Sequence, residues 1–149
     1  MRDRYARSMG GFRNSRTGFG MYPHTLTTSS GGAPSAIQGI TISPKLFDHY
    51  RTKRDFIQKY IFPGGMLCTP GLFQDLAAQA GLRSQDVRFF ARDYADTLAH
   101  WHRNVLAARD GIVRKFDERF LRLWRYYLAY CECAFRVGSC DVMQITLTK

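Results

Sequence analysis

The sequence predicts an α/β fold, and three observations predict it. Two β-branched runs, Ala36–Ile42 (AIQGITI) and Met143–Leu147 (MQITL), read as strands at either end of residues 33–149. Between them, apolar residues recur at helical spacings of three and four, and two of the helix starts carry a proline at the first helical position. The resulting order is strand, two helices, strand, two helices, strand, which suggests the second half of an α/β sheet. Such a half-sheet would expose an unpaired edge and an apolar face.

Residues 1–32 are rich in Arg, Gly, Ser and Thr and show no apolar period, so they are expected to be a disordered basic tail. The folded unit is then residues 33–149. After the first strand, Ser43-Pro44 supplies an N-cap and a proline at the first helical turn, and Leu46, Phe47 and Tyr50 share one face. The block FIQKYIFPGG (Phe56–Gly65) stops at Pro63-Gly64-Gly65, which presents Tyr60, Ile61 and Phe62 at the mouth of a tight turn. Thr69-Pro70 repeats the start signal for a helix carrying Leu72, Phe73, Leu76, Ala77 and Ala80, and Gly81 closes it. Val87–Ala91 reads as a strand. Two long helices follow, one marked by Tyr94, Leu98, Trp101 and Val105. The other is marked by Phe116, Phe120, Leu123, Tyr127, Tyr130 and Ala134.

A chain of 149 residues, 45% hydrophobic and 14% aromatic, can bury one core. It contains no apolar run of eighteen residues, so no transmembrane helix is expected, and the N-terminus lacks the pattern of a secretory signal. Cys68, Cys131, Cys133 and Cys140 show no disulfide framework, which favours a reducing, cytoplasmic setting. Cys131 and Cys133, like His100 and His102, stand two apart on a helix and point to different faces, which is poor metal geometry. The net charge is +10, of which residues 1–32 hold +4. A basic surface attracts phosphate, of nucleic acid or of anionic lipid, or is simply a solvated face.

Three blocks occurring in order carry a more specific signal: FIQKYIFPGG, DYADTLAHW (Asp93–Trp101) and RLWRYYLAYCECAFRVG (Arg122–Gly138). With these the sequence resembles the cyclopropane-fatty-acyl-phospholipid synthases, from about Ala36 to Lys149. The resemblance covers only the C-terminal part of such an enzyme. It implies the C-terminal half of a class I, Rossmann-like methyltransferase sheet with covering helices. It also implies S-adenosylmethionine as methyl donor and bicarbonate as the base that removes a proton from the new methyl. The cis double bond of a phospholipid acyl chain attacks the methyl, a carbocation forms, and a cyclopropane ring closes. Aromatic faces stabilise such a cation, and exclusion of water protects it.

Residue by residue, the resemblance places Tyr94 at the bicarbonate, its hydroxyl holding the anion. Ile40 contacts the same anion through its backbone. Gln38 stands where many relatives have a histidine; a glutamine still donates a hydrogen bond but carries no charge. Phe62, with Tyr60 beside it, and Cys131 fall on the substrate side. Without the resemblance, Tyr94 would read as a core tyrosine packed on Leu98 and Phe62 as a residue wedged under the turn. No strand followed by a glycine-rich turn and a helix is evident; Gly18-Phe19-Gly20 is the nearest match and a weak one. The cofactor-binding half is therefore expected to be absent and the chain to be inactive alone. A truncated or disrupted reading frame would explain that, and the missing half or a second copy would be its partner. Lys45, Arg51, Lys53, Arg54 and Lys59 precede or enter the first block and suggest docking on the anionic inner membrane surface. No nucleic-acid partner is expected on this reading. The alternative is a non-enzymatic basic module that binds anionic membrane or nucleic acid through its Arg/Gly-rich head.

Overall fold

The computed structural model describes residues 34–149, so the predicted tail and Gly18-Phe19-Gly20 lie outside the described residues. The elements are β1 (Ser35–Ile42), α1 (Pro44–Thr52), a π-helical turn (Ile57–Ile61), α2 (Pro70–Gln79), β2 (Arg83–Phe89), α3 (Ala91–Ala107), α4 (Arg109–Lys115), α5 (Glu118–Arg136) and β3 (Cys140–Thr148). The sheet order is β1-β3-β2, with β3 antiparallel to both neighbours, so β1 and β2 run in the same direction on either side of it. Chain ends that lie far apart in sequence thus meet: Ile37 pairs with Ile145 and Ile40 with Val142.

Strand alternation divides the core into two layers. Met143, Ile145 and Leu147 join Ile37 on the face covered by Phe73 and Ala77 of α2. Val142 faces the other way, toward Ala95 and Leu98 of α3 and Leu128 and Phe135 of α5. That second layer carries Tyr94, Tyr127 and Cys131 on its margin.

Local chemistry sets the boundaries. Thr69 Oγ1 accepts from the Leu72 amide at 3.1 Å, opening α2. Gly81 (φ +75) closes it in a Schellman motif, with Leu82 N–H bonding Ala77 O and Gly81 N–H bonding Ala78 O. Gly138 (φ +72) closes α5 the same way, through Ser139 N–H to Ala134 O and Gly138 N–H to Phe135 O, and turns the chain into β3.

Two boundaries differ from the sequence reading. Phe116 lies in a break between α4 and α5 rather than at the head of one long helix. The Asp117 side chain accepts from the Phe120 amide at 2.6 Å and starts α5 afresh. The middle strand runs Arg83–Phe89, not Val87–Ala91, and Ala91 already opens α3. Its sequence RSQDVRF is mostly exposed and lacks an apolar alternation, and a register shift between Gln85 and Arg88 brackets Asp86 at φ +50. Pairing with β3, rather than side-chain pattern, makes it a strand.

Candidate functional site

The block FIQKYIFPGG folds into a π-helical turn followed by a reversal. Phe62 N–H bonds Ile57 O at 2.8 Å, an i to i+5 bond, and Gly65 N–H bonds Phe62 O at 2.9 Å. Proline at the second position and Gly64 at φ +83 make Phe62–Gly65 a type II turn. Gln58 fastens it. Its Oε1 accepts from the Asp55 amide at 3.1 Å, the Asp55 carboxylate accepts from the Gln58 amide at 2.8 Å, and its Nε2 donates to Gly65 O at 3.1 Å. This reciprocal cap holds both ends of the block at one buried side chain. The second carboxylate oxygen of Asp55 accepts from the Tyr130 hydroxyl of α5 at 3.2 Å, so the block is docked on α5 as well.

Phe62 reaches α5 edge-on at Tyr127, 6.2 Å between ring centres. The Tyr127 hydroxyl lies near the Cys131 thiol one turn farther along. Across the layer stands Tyr94 of α3, its ring edge-on to Phe135 at 4.8 Å and to Trp101 at 6.2 Å. The Tyr94 hydroxyl bonds no described residue. Phe62, Tyr127, Cys131, Tyr94 and Phe135 thus form one largely aromatic wall.

The wall is uncharged over the physiological range. Burial raises the Tyr94 and Tyr127 phenols above their ordinary value, with Cys131 adding to both. Burial likewise pushes the Cys131 thiol up to about 12 and the Cys140 thiol up to about 11, the latter also through Asp55 and Asp141. Burial and the neighbouring Asp55 push Tyr130 up to about 12. Thiols held protonated are poor nucleophiles and metal ligands. Phenols held protonated remain hydrogen-bond donors.

Of the six residues singled out from the sequence, Phe62, Cys131 and Tyr94 meet at this wall. Tyr60 does not: it is 57% exposed, packs on Phe56 at 5.6 Å and lies under Lys59 Nζ. Gln38 and Ile40 are exposed on β1. Ile40 sits beside Val142, which packs in the layer that Tyr94 borders. Gln38 Oε1 accepts from Gln144 Nε2 at 2.6 Å, so one side of its amide is engaged across the strands. Two residues escaped the sequence reading as site residues. Tyr127 is the hub of the wall, and its i, i+4, i+8 spacing with Cys131 and Phe135 was visible. Asp55 ties the first block to the third, and its spacing of three from Gln58 is that of a capping box.

The family of mycolic acid cyclopropane synthetases matches residues 18–145, most of the chain. The chain belongs to that family. It is 42% identical over 120 residues to the tuberculostearic acid methyltransferase UfaA1 of Mycobacterium tuberculosis, a match covering 79% of this chain and 28% of that protein. It is 35% identical over 95 residues to the cyclopropane-fatty-acyl-phospholipid synthase of Escherichia coli, covering 63% and 24% respectively. The crystal structure of the mycolic acid cyclopropane synthase CmaA1, complexed with SAH and CTAB, superposes with a TM-score of 0.72 at 27% identity, over 80% of this chain and 45% of that one. The fold is therefore the mixed α/β fold of these methyltransferases, of which this chain spans less than half the length. The family match opens at residue 18, ahead of the first motif recognised in the sequence.

Neither strand-to-helix junction among the described residues suits a methyl-donor cofactor. β1 passes to α1 through Ser43-Pro44 and β2 to α3 through Phe90, without the glycines that let backbone approach such a group. The described residues do not form a cradle for S-adenosylmethionine.

Proposed function

We propose that this chain supplies the acyl-chain side of an S-adenosylmethionine-dependent lipid methyltransferase that acts on the cis double bond of phospholipid acyl chains and forms a cyclopropane ring. The aromatic wall from Phe62 through Tyr127 to Tyr94 and Phe135 carries this reading. An uncharged, ring-lined surface suits an alkyl chain, excludes water, and turns aromatic faces toward positive charge that develops on the alkene. The Tyr94 hydroxyl, kept protonated by burial, is a donor for a bound bicarbonate. The Ile40 backbone and the remaining donor of Gln38 complete that anion site when the rest of the enzyme is in place. The methyl donor is held by residues outside 34–149.

Lipid reaches the wall from a membrane surface. Lys45, Arg51, Lys53, Arg54 and Lys59 are exposed, and Leu46 and Tyr60 stand exposed among them. Each cation near an anionic leaflet contributes about 1 kcal/mol. Among the described residues no helix is long and apolar enough to cross a membrane, and the contact proposed is peripheral.

A chimera tests the reading. Residues 34–149 replace the matching segment of the Escherichia coli synthase, and methyl transfer to unsaturated phospholipid vesicles is followed by mass analysis of the released acyl chains. Ring-containing chains are expected. A folded chimera that binds cofactor but leaves the alkene untouched would overturn the proposal, and a methyl-branched product would correct its outcome.

A further inference from the structure

The groove between α3 and α5 holds a second cluster that the aromatic wall does not use. An open surface depression of about 250 Å³ there is lined by His102 of α3 and by the exposed Arg122, Arg125, Tyr126 and Ala129 of α5. It is smaller than the roughly 300 Å³ at which pockets for drug-sized ligands begin, so it suits a compact group. Neither arginine forms an ion pair with a described residue. The two acids of α5 are engaged elsewhere, Glu118 by Arg109 and Glu132 by Arg136. The Nε2 atom of His102 is buried and has no hydrogen-bond partner among the described residues. Two planar guanidinium forks and a phenol, with no carboxylate in the lining, make a site for a multi-oxygen anion.

Its position says which anion. The Tyr126 ring meets Phe56 edge-on at 4.6 Å, and Phe56 continues to Tyr60 at 5.6 Å and Tyr130 at 5.7 Å. The depression therefore lies beside the aromatic block whose far end, Phe62, lines the wall. We propose that this depression receives the phosphodiester of a lipid headgroup, while the acyl chain runs past the Tyr126 and Phe56 rings toward Phe62 and Tyr94. The headgroup site deepens the acyl-side reading and rests on it for the path of the chain, but not for the anion.

Titration calorimetry of the full chain with glycerophosphoglycerol, inorganic phosphate and a single-stranded oligothymidylate tests this. The first probe has a headgroup and no acyl chain, so it binds or fails independently of the aromatic wall. The headgroup is expected to bind more tightly than inorganic phosphate. R122Q/R125Q should weaken it about tenfold or more. R122K/R125K, which keeps the charge without the fork, should fall between. R83Q/R88Q, on the exposed strand β2, should leave it unchanged. Three results would overturn the proposal. One is headgroup binding unaffected in a folded R122Q/R125Q variant; another is inorganic phosphate bound as tightly as the headgroup. The third is oligothymidylate binding that depends on the two arginines while the headgroup does not bind.

Discussion

Gln58 is the smallest change with the largest expected reach. Its side chain is buried and makes two hydrogen bonds, one to each end of the FIQKYIFPGG block. Gln58→Met keeps the length and most of the volume but removes both. The Asp55 amide and the Gly65 carbonyl are then left without their partners in half-buried positions. At about 1 kcal/mol for each such group, the low end of the usual range because both sites are partly solvated, the loss is about 2 kcal/mol. The bond from the Gln58 amide to the Asp55 carboxylate survives, so the π-helical turn keeps its start while the reversal at Gly65 loosens. Urea unfolding should show a lower midpoint with an unchanged slope. Limited trypsinolysis after Lys59, an exposed residue inside the block, should accelerate. A Q58M variant within about 0.5 kcal/mol of the parent, cut no faster at Lys59, would show that this side chain does not hold the turn.

Three further outcomes are expected. Tyr94→Phe keeps the ring contacts with Phe135 and Trp101 and removes a hydroxyl that bonds no described residue. Its unfolding free energy should stay within about 0.5 kcal/mol of the parent, while the chimera carrying it loses about a hundredfold in methyl transfer, as when one preorganised donor is removed. Gly64→Ala forces a Cβ into φ +83 and should cost about 1 kcal/mol by urea unfolding, although nothing within 4 Å obstructs the methyl group. Stability should fall with alkaline pH. The Cys131 thiol lies above its ordinary 9.0 when folded, so the unfolded chain loses its proton first. The stabilisation is complete below pH 9.0 and is lost as pH rises through about 12. C131S should flatten that alkaline decline, and at pH 8 iodoacetamide should label exposed Cys133 well before Cys131 or Cys140.

The fold was legible where side-chain chemistry acts locally. Pro44, Thr69-Pro70 and Gly81 mark helix ends through neighbours alone, and the structure keeps those ends, although the Ser43 side chain caps nothing. Ala36–Ile42 and Met143–Leu147 are β-branched enough to declare themselves strands. The exposed segment Arg83–Phe89 was shifted because its strand character comes from the β3 ladder, a contact made across more than fifty residues. The break at Phe116-Asp117 was hidden by an apolar period that continues across it. At the site, motif blocks supplied Phe62, Tyr94 and Cys131. They could not supply the wall, because Tyr127 joins those residues only once α3 and α5 pack face to face. Tyr60 and Gln38 show the converse: both stand in or beside recognisable motifs, yet their side chains point to solvent or to Gln144.

The central claim, that an acyl chain lies along the Phe62–Tyr127–Tyr94 wall, is tested most directly by crosslinking. A phospholipid carrying a diazirine at mid-chain is incorporated into anionic vesicles, incubated with the full chain and photolysed, and the adducts are mapped by peptide mass spectrometry. The account predicts adducts within Phe62, Tyr94, Tyr127 and Cys131, reduced when Phe62 is replaced by aspartate. Adducts confined to the exposed residues of α1 and to Tyr60, unchanged by that replacement, would mean that the chain only touches the membrane and does not receive the lipid.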